Sequence, residues 1–305
     1  MNHQKTIRAP ITLSGVALHS GALVALRLLP APVDTGIRFR RIDLEAPVEI
    51  PARVGHVTET YLATALGCDG AEVSTVEHCL AALHGLGVDN AVVEVDGPEL
   101  PILDGSALPY VEAILDVGWQ RQSAVRRKIR VTKPVRVANG DKFVVLRPHR
   151  GLRITYSIDF EGRFTGEQHY YLDITPETFA VELALARTFG FLEEVEYLRS
   201  VGKVRGGSLD NAVVLDGNAV LNPEGLRTAD ELVRHKILDA IGDLALAGHA
   251  IEGHLIVHKG GHALHTDLLR ALMARPDAWE LVDDTPAAER AIAVREHSEP
   301  VFAYA

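Results

Sequence analysis

Short alternating or β-rich runs, separated by glycine and proline, recur through the first 120 residues of the chain. The runs at 24–29 and 37–40 predict strands, and a third strand is predicted at 90–96. Residues 74–85 form a predicted helix, with Ser74 and Thr75 as candidate caps and Gly85 at its end. A second helix is predicted at 106–117, where apolar positions recur at helical spacing. These elements predict an antiparallel α+β unit.

The second half of the chain repeats this plan, with strands predicted at 129–137, 142–147 and 153–160 before helices and a final strand. One stretch is similar in the two halves: residues 76–83 and 233–240 each carry a histidine and lead through glycine to a strand. Two similar α+β halves would bring these helices to a shared interface, where ligand sites often form. A region rich in glycine and valine, at about 193–225, predicts an inserted βαβ lobe.

The composition changes between residues 119 and 130, where five basic residues and no acidic residue fall between 121 and 130. Such a run could bind phosphate, but a solvated linker is the preferred interpretation. We therefore predict a first domain at 1–120, a linker at 121–127 and a second domain at 128–305.

Length and charge exclude several functional classes. A chain of 305 residues predicts about two domains, and its net charge of −10 argues against binding nucleic acid or an anionic membrane. The N-terminus has no apolar targeting segment, and no stretch approaches the ~18 apolar residues needed to cross a bilayer. We expect a cytoplasmic monomer without stable membrane insertion. Any anionic ligand must then be held by local cations.

A polar stripe in the second half carries the strongest chemical signal. His235, Asp239 and Asp243 lie at i, i+4 and i+8, on one face of a predicted helix, among apolar neighbours. Burying these groups is tolerable if a cation compensates them, and His and Asp at i, i+4 supply two ligands to one metal ion. An exposed i, i+4 ion pair is the alternative interpretation.

Two further histidines are candidates for the same site. His78 could supply a third metal ligand, and Glu77, about 100° round the helix, could act as a base; a surface Glu–His pair is the alternative. His262 follows a Gly-Gly turn, and there it could donate a proton while Asp243 holds its other ring nitrogen. A satisfied structural histidine is equally compatible with the pattern.

Five motifs, taken together and in order, closely resemble the UDP-3-O-acyl-N-acetylglucosamine deacetylase family. They lie at 74–78, 187–191, 206–208, 233–243 and 260–264, and the likeness extends from 15–21 to 278–280. The resemblance implies zinc-dependent hydrolysis of the substrate acetamide, the committed step of lipid A biosynthesis, and a Gram-negative source. It also implies two similar α+β domains with helices sandwiched between two β-sheets. The chain ends soon after Trp279, so we expect no appended dehydratase domain.

The resemblance also implies roles for individual residues. The implied zinc ligands are His78, His235 and Asp239, which leave one position open, as in a catalytic site. The implied catalytic group comprises Glu77 as general base, His262 as general acid, Asp243 as its orienting partner and Thr188 as an oxyanion donor. Fe(II) suits the same ligands as well as Zn(II).

Substrate contacts follow from the same resemblance. Phe189 and Phe191 are expected to contact the sugar ring or acyl chain, and Lys236, Lys259 and Lys142 the nucleotide diphosphate. The inserted lobe is expected to form an apolar acyl channel lined by Val195, Val204, Gly207, Ser208, Ala212 and Val214.

One position departs from the family pattern. Ala63 stands where some members place a cysteine that can take a second, inhibitory zinc ion, so we do not expect that form of inhibition. Two other functions stay open: a nucleotide-sugar-binding protein whose zinc only fastens the domains, and a metal-free interaction module.

Overall fold

The computed structural model describes residues 2–160, 164 and 166–284. Its described first half consists of strands with two α-helices and one short 3-10 helix (Val54–His56) between them. These elements are β1 (His3–Ile7), β2 (Ile11–Val16), β3 (Leu23–Pro30), β4 (Ile37–Arg41), β5 (Val48–Pro51), β6 (Val57–Glu59), β7 (Ala65–Cys68), β8 (Ala71–Val73), α1 (Glu77–Gly85), β9 (Ala91–Val95), α2 (Leu108–Val117) and β10 (Trp119–Val125).

The second half repeats the mixture of strands and helices. Its elements are β11 (Arg127–Val131), β12 (Val135–Asn139), β13 (Lys142–Arg147), β14 (Leu152–Asp159), β15 (Glu167–Ile174), α3 (Pro176–Thr178), β16 (Phe189–Phe191), α4 (Leu192–Ser200), β17 (Val213–Asp216), β18 (Ala219–Val220), α5 (Glu231–Leu244), β19 (Ala250–His258), α6 (His262–Met273) and β20 (Trp279–Asp283). In the part of the chain described, no helix is long and apolar enough to cross a membrane.

Each half contains one large mixed sheet built around the strand that follows its central helix. In the first half the order is β2-β3-β9-β4-β5, and β9 pairs antiparallel with β3 and parallel with β4. In the second half β19 pairs antiparallel with β13 and parallel with β14. The same arrangement around β9 and β19 supports the predicted similarity of the halves.

The helices lie between these sheets. The central helices α1 and α5 pack directly on each other, α2 packs against β2, α5 against β14 and β15, and α6 against β12 and β13. A single connected apolar core links both halves. The predicted α+β class, with helices sandwiched between two sheets, is confirmed.

The close approach of α1 and α5 depends on one glycine. A Cβ atom built on Gly242 would lie 2.1 Å from the carbonyl oxygen of Glu77. No other residue type fits there without moving a backbone, so Gly242 sets the distance between the two helices that carry the candidate metal ligands.

The insert has the predicted βαβ form. Strand β16 pairs parallel with β17, α4 connects them, and β18 adds an antiparallel edge. The unit begins at Phe189, slightly before the predicted start at 193.

Two local predictions were wrong. The strand predicted at 129–137 is two strands, β11 and β12, separated at 132–134, where Pro134 cannot donate to a sheet. Ser74 and Thr75 do not cap α1: the helix follows Val76 without a side-chain cap, and the Thr75 hydroxyl instead faces Glu99 at 3.4 Å. Residues 121–125 of the basic segment belong to strand β10, which pairs with β1. The domain boundaries themselves stay a prediction.

Candidate active site

Three predicted metal ligands meet where α1 and α5 cross. His78 comes from the first turn of α1, and His235 and Asp239 lie one turn apart on α5. The Oδ1 atom of Asp239 lies 3.6 Å from His78 Nε2 and 3.3 Å from His235 Nε2. Two ligands bound at 2.0–2.1 Å to a tetrahedral ion lie about 3.4 Å apart, so these separations match a shared divalent cation.

The polar atoms of this cluster are arranged for a cation. Asp239 Oδ1 is buried and has no hydrogen-bond partner among the described residues, an arrangement that is costly unless another group compensates it. The Nδ1 atom of His235 donates to the Ala186 carbonyl oxygen at 3.0 Å, which leaves Nε2 as the lone-pair atom facing Asp239. Burial lowers the pKa of His235 to about 4, so the ring is neutral, as a metal ligand must be.

Lys236 balances part of the negative charge. Its Nζ donates to Asp239 Oδ2 at 2.7 Å, so the two carboxylate oxygens of Asp239 face different partners. Burial would raise the pKa of Asp239, but the electrostatic interactions with the His235 ring and the Lys236 ammonium group outweigh it and hold the pKa well below its usual value. The carboxylate is therefore ionised at neutral pH.

Glu77 is buried beside the three ligands. Its Oε2 accepts a hydrogen bond from the backbone N–H of Thr64 at 3.0 Å. Burial raises its pKa above the usual value, although the charges of His262 and His78 oppose this. A carboxylate with a raised pKa is a better proton acceptor than an exposed one.

Asp243 lies one turn beyond Asp239 and holds two histidines. The Nδ1 atoms of His262 and His265 both donate to its Oδ2, each at 2.8 Å. The Nε2 atom of His262 then lies 4.0 Å from Asp239 Oδ2, beside the metal-ligand cluster. Burial alone would lower the pKa of His262, but the charge and hydrogen bond of Asp243 raise it to about 9.

Sequence reasoning missed two residues of this network. The Thr64 hydroxyl donates to Asp243 Oδ1 at 2.6 Å, so Thr64 contacts both Glu77 and Asp243. No local pattern marks Thr64. His265 did have a signal, because it lies at i+3 from His262 on the same helix, and its Nε2 accepts from the Tyr156 hydroxyl at 3.4 Å.

A cavity of about 650 Å³ opens over the cluster. Of the predicted metal-binding and catalytic residues, those lining it are Glu77, His78, His235, Asp239 and Thr188. Of the predicted substrate contacts, those lining it are Lys142, Phe189, Lys236 and Lys259. Lys259 also has partners within the protein, because its Nζ lies 3.0 Å from Asp141 and 3.2 Å from Asp159.

Comparison with known proteins agrees with this geometry. The family model LpxC, UDP-3-O-acyl N-acetylglycosamine deacetylase, matches residues 4–274. The chain belongs to this family. A protein of Shewanella halifaxensis named UDP-3-O-acyl-N-acetylglucosamine deacetylase is 49% identical over 306 residues, which cover 99% of this chain and 100% of the relative. A protein of the same name from Shewanella frigidimarina is 50% identical over 285 residues, covering 92% of this chain and 93% of the relative.

The burial of the cluster and the family membership test the alternative interpretations that the sequence left open. His235, Asp239, Glu77 and His78 are all buried, so the exposed ion-pair and surface-pair interpretations are wrong. A metal-free module requires the three ligands to lie far apart, whereas their ligand atoms lie within 4.8 Å of one another. The family membership and the donor set together support a metal-dependent enzyme.

The Phe189 ring contacts the metal-ligand cluster, with its centroid 6.2 Å from that of the His235 ring. The Phe160 ring contacts those of Phe189 and Phe191, with centroids 5.6 and 5.2 Å apart, and Phe160, which sequence reasoning missed, also lines the cavity. Phe191 itself is buried behind it. The six residues predicted to line an acyl channel are Val195, Val204, Gly207, Ser208, Ala212 and Val214, and none of them lines the 650 Å³ cavity. Gly207 lies next to Leu18, which does line it, so the lobe adjoins the cavity wall.

A buried ion pair positions the Thr188 segment. Arg187, almost fully buried, donates through Nε to Glu231 Oε1 at 2.8 Å, and Glu231 is the first residue of α5. The backbone N–H of Thr188 donates to the Gly105 carbonyl oxygen at 2.8 Å. Thr188 is therefore held between the first half of the chain and the helix that carries His235.

Proposed function

We propose that this protein hydrolyses the acetamide of UDP-3-O-acyl-N-acetylglucosamine, releasing acetate and the free sugar amine, the committed step of lipid A biosynthesis. The observation that carries this proposal is the cluster of three candidate ligands, His78, His235 and Asp239. It lies at an open cavity between a buried carboxylate and a protonated histidine. Family membership supports the substrate.

The bound cofactor in this proposal is one zinc ion, and Fe(II) is compatible with the same ligands. Three protein ligands leave a position for water or substrate, whereas a structural zinc site normally has four protein ligands. Zinc would act as a Lewis acid toward the acetamide carbonyl and would lower the pKa of a water molecule. This distinguishes the proposal from a binding protein whose zinc only fastens the domains.

Glu77 is the proposed general base. It lies beside His78, its carboxylate is buried, and its pKa is raised, which makes the carboxylate a stronger acceptor for the proton of the attacking water. Its bond from the Thr64 N–H holds one carboxylate oxygen and leaves the other for that proton. Its buried position beside His78 is the one required of a base.

His262 is the proposed general acid. With a pKa of about 9 it is protonated at neutral pH, and its Nε2 faces the cluster while Asp243 holds Nδ1. It can therefore give a proton to the departing sugar amine. Thr188, on the cavity wall, is the proposed hydrogen-bond donor to the oxyanion, a contact worth about 3 kcal/mol of barrier in other enzymes.

The substrate contacts are proposed from the lining of the cavity. Lys142 supplies positive charge for the diphosphate in a chain whose net charge is −10, and Lys259, which also pairs with Asp141 and Asp159, is a second proposed contact. Lys236 pairs with Asp239, so we assign it first to the balance of charge at the metal ligands and second to substrate. Phe189 and Phe160 offer an apolar surface, and the lobe is the proposed channel for the acyl chain.

We also propose that the protein acts as a monomer in the cytoplasm. Both cysteines are free, as is usual in a reducing compartment. Light scattering coupled to size-exclusion chromatography tests the monomer directly.

A pair of variants tests the assignment of ligand and base. Asp239→Ala should lose bound metal and turnover together, whereas Glu77→Gln should keep bound metal and lose turnover. Asp116→Ala, which removes an exposed aspartate on α2, is the control and should change neither. Metal content by plasma mass spectrometry and acetate release are the two measurements. Undiminished activity in Asp239→Ala or in Glu77→Gln would refute the corresponding role.

A further inference from the structure

A second cavity, of about 190 Å³, lies between the two halves of the chain, near the C-terminal end of α1. We call it the junction cavity; its basic and imidazole lining residues are Arg53, His84, Arg126, Arg127 and His249. His84 lies on α1 six residues beyond His78, which corresponds to a rise of about 9 Å along the helix axis. The junction cavity is therefore separate from the cavity over the metal ligands, and the two share no lining residue.

The Arg53 side chain contributes a positive charge to this cavity and has no carboxylate partner in the part of the chain that the structure describes. Its guanidinium lies over Gly248, so closely that a Cβ built there would lie 0.8 Å from Nη1. Its one hydrogen bond within the described residues is a long one, 3.4 Å, to the Ala247 carbonyl oxygen. Burial lowers the pKa of Arg53, and the neighbouring charge of Arg38 adds to that effect. No carboxylate of the described chain lies within 4.0 Å of its guanidinium.

Arg127 adds a second guanidinium to the lining of the junction cavity, which also includes His249. Arg127 begins β11 and is exposed, and its side chain forms no ion pair with a described carboxylate. Burial lowers the pKa of His249, and the charges of Arg53 and Arg127 lower it further, while Asp34 opposes them. Both guanidinium groups are thus within electrostatic range of one imidazole ring.

Two carboxylates also line the cavity, but they do not cancel these charges. Asp89 is committed to Arg126, whose Nε lies 2.8 Å from its Oδ1, and it also accepts from the Lys5 N–H at 2.8 Å. Asp34 accepts from the Gln4 side chain at 2.7 Å. Arg53 and Arg127 therefore face one carboxylate, Asp34, and the junction cavity carries a net positive charge in a chain of net charge −10.

We propose that the junction cavity is a binding site for a small oxyanion of the phosphate class. Guanidinium groups present paired donors that match phosphate oxygens, and Arg53 and Arg127 are the available pair. The volume suits one phosphate group with a small substituent and is too small for a nucleotide sugar. Because both halves of the chain line the site, a bound anion would stabilise the junction by mass action.

The test is titration calorimetry of the metal-loaded, full-length protein with sodium phosphate, against sodium chloride at matched ionic strength. We expect saturable binding to the wild type, accompanied by a rise in Tm. Arg127→Gln and Arg53→Gln should each weaken phosphate binding at least about tenfold, the usual effect of losing a charged hydrogen-bond donor. Arg150→Gln, which removes an exposed arginine outside the cavity, is the control and should bind phosphate as the wild type does.

A parallel titration with glycerol 3-phosphate distinguishes free phosphate from a phosphate monoester as the tighter ligand. Equal phosphate affinity in the wild type, Arg127→Gln and Arg53→Gln would overturn the proposal. So would loss of binding in Lys142→Gln alone, because that residue lines the larger cavity. Arg127 is exposed, so its variant stays interpretable even if Arg53→Gln unfolds.

Discussion

Replacing Gly242 by alanine changes the distance between α1 and α5 without removing any functional group. The added Cβ would lie 2.1 Å from the Glu77 carbonyl oxygen and 2.8 Å from its carbonyl carbon. Both atoms are backbone, so no side chain can rotate to relieve the contact. The helices must separate.

The size of the displacement follows from the structure. Ordinary contact begins near 3.4 Å, so the helices must move apart by about 1.3 Å at this point. That movement separates Glu77 and His78 on α1 from His235 and Asp239 on α5. A misplacement of about 1 Å can cost roughly 100-fold in rate, and overpacking typically costs about 1–3 kcal/mol of stability. We therefore expect kcat/KM to fall about 100-fold in Gly242→Ala, with weaker metal binding and a lower Tm.

The assay compares kcat/KM, metal affinity and Tm in Gly242→Ala and in Gly55→Ala. Gly55 has no atom within 4 Å of its built Cβ, so its variant controls for the loss of a glycine as such. Wild-type metal affinity and kcat/KM in Gly242→Ala would refute the reasoning, because they would show that the helix spacing does not set the site.

Three other predictions concern the Asp243 cluster. In the wild type, kcat/KM should fall as the pH rises through about 9, where His262 loses its proton. His262→Gln should lose this basic limb of the pH profile. An unchanged basic limb in the variant would refute the role of His262 as general acid. In the metal-free protein, the raised pKa of His262 also contributes to stability. This contribution is complete below the pKa of the residue in the unfolded chain and is lost as the pH rises through about 9. The wild type should therefore lose more stability over that range than His262→Gln. Thr64→Val removes the buried donor to Asp243 and should lower the free energy of unfolding by about 1.5–3 kcal/mol. Thr58→Val, which removes an exposed threonine–carboxylate bond, should cost under about 0.5 kcal/mol, and equal losses in the two variants would contradict the burial argument.

The polar stripe on α5 was predictable because helical geometry is local. His235, Asp239 and Asp243 share one face by spacing alone, and their apolar neighbours indicated that this face is buried. The pairing of the α1 and α5 helices also followed from the similarity of the two halves. The roles of Glu77 and His262 came mainly from family resemblance, and these roles stay proposals.

The rest depended on contacts between distant parts of the chain. Thr64 joins Glu77 and Asp243 across 13 and 179 residues, and nothing in its own neighbourhood indicates this. The sequence does not predict the Gly242 contact either, since a single glycine in a helix has many explanations. Thr75 was expected to cap α1, but its backbone takes a positive φ of 57° and its hydroxyl turns to Glu99. Tertiary contacts there override the local preference for capping.

The most direct test of the central claim is mass-spectrometric detection of acetyl loss from UDP-3-O-acyl-N-acetylglucosamine. The purified protein would be tested loaded with zinc, stripped by a chelator and then reloaded. We predict acetate release by the loaded protein, loss of turnover on stripping and recovery on reloading. A folded, zinc-loaded protein that left the substrate intact at every acyl length tried would contradict the claim, as would turnover that survived complete removal of metal.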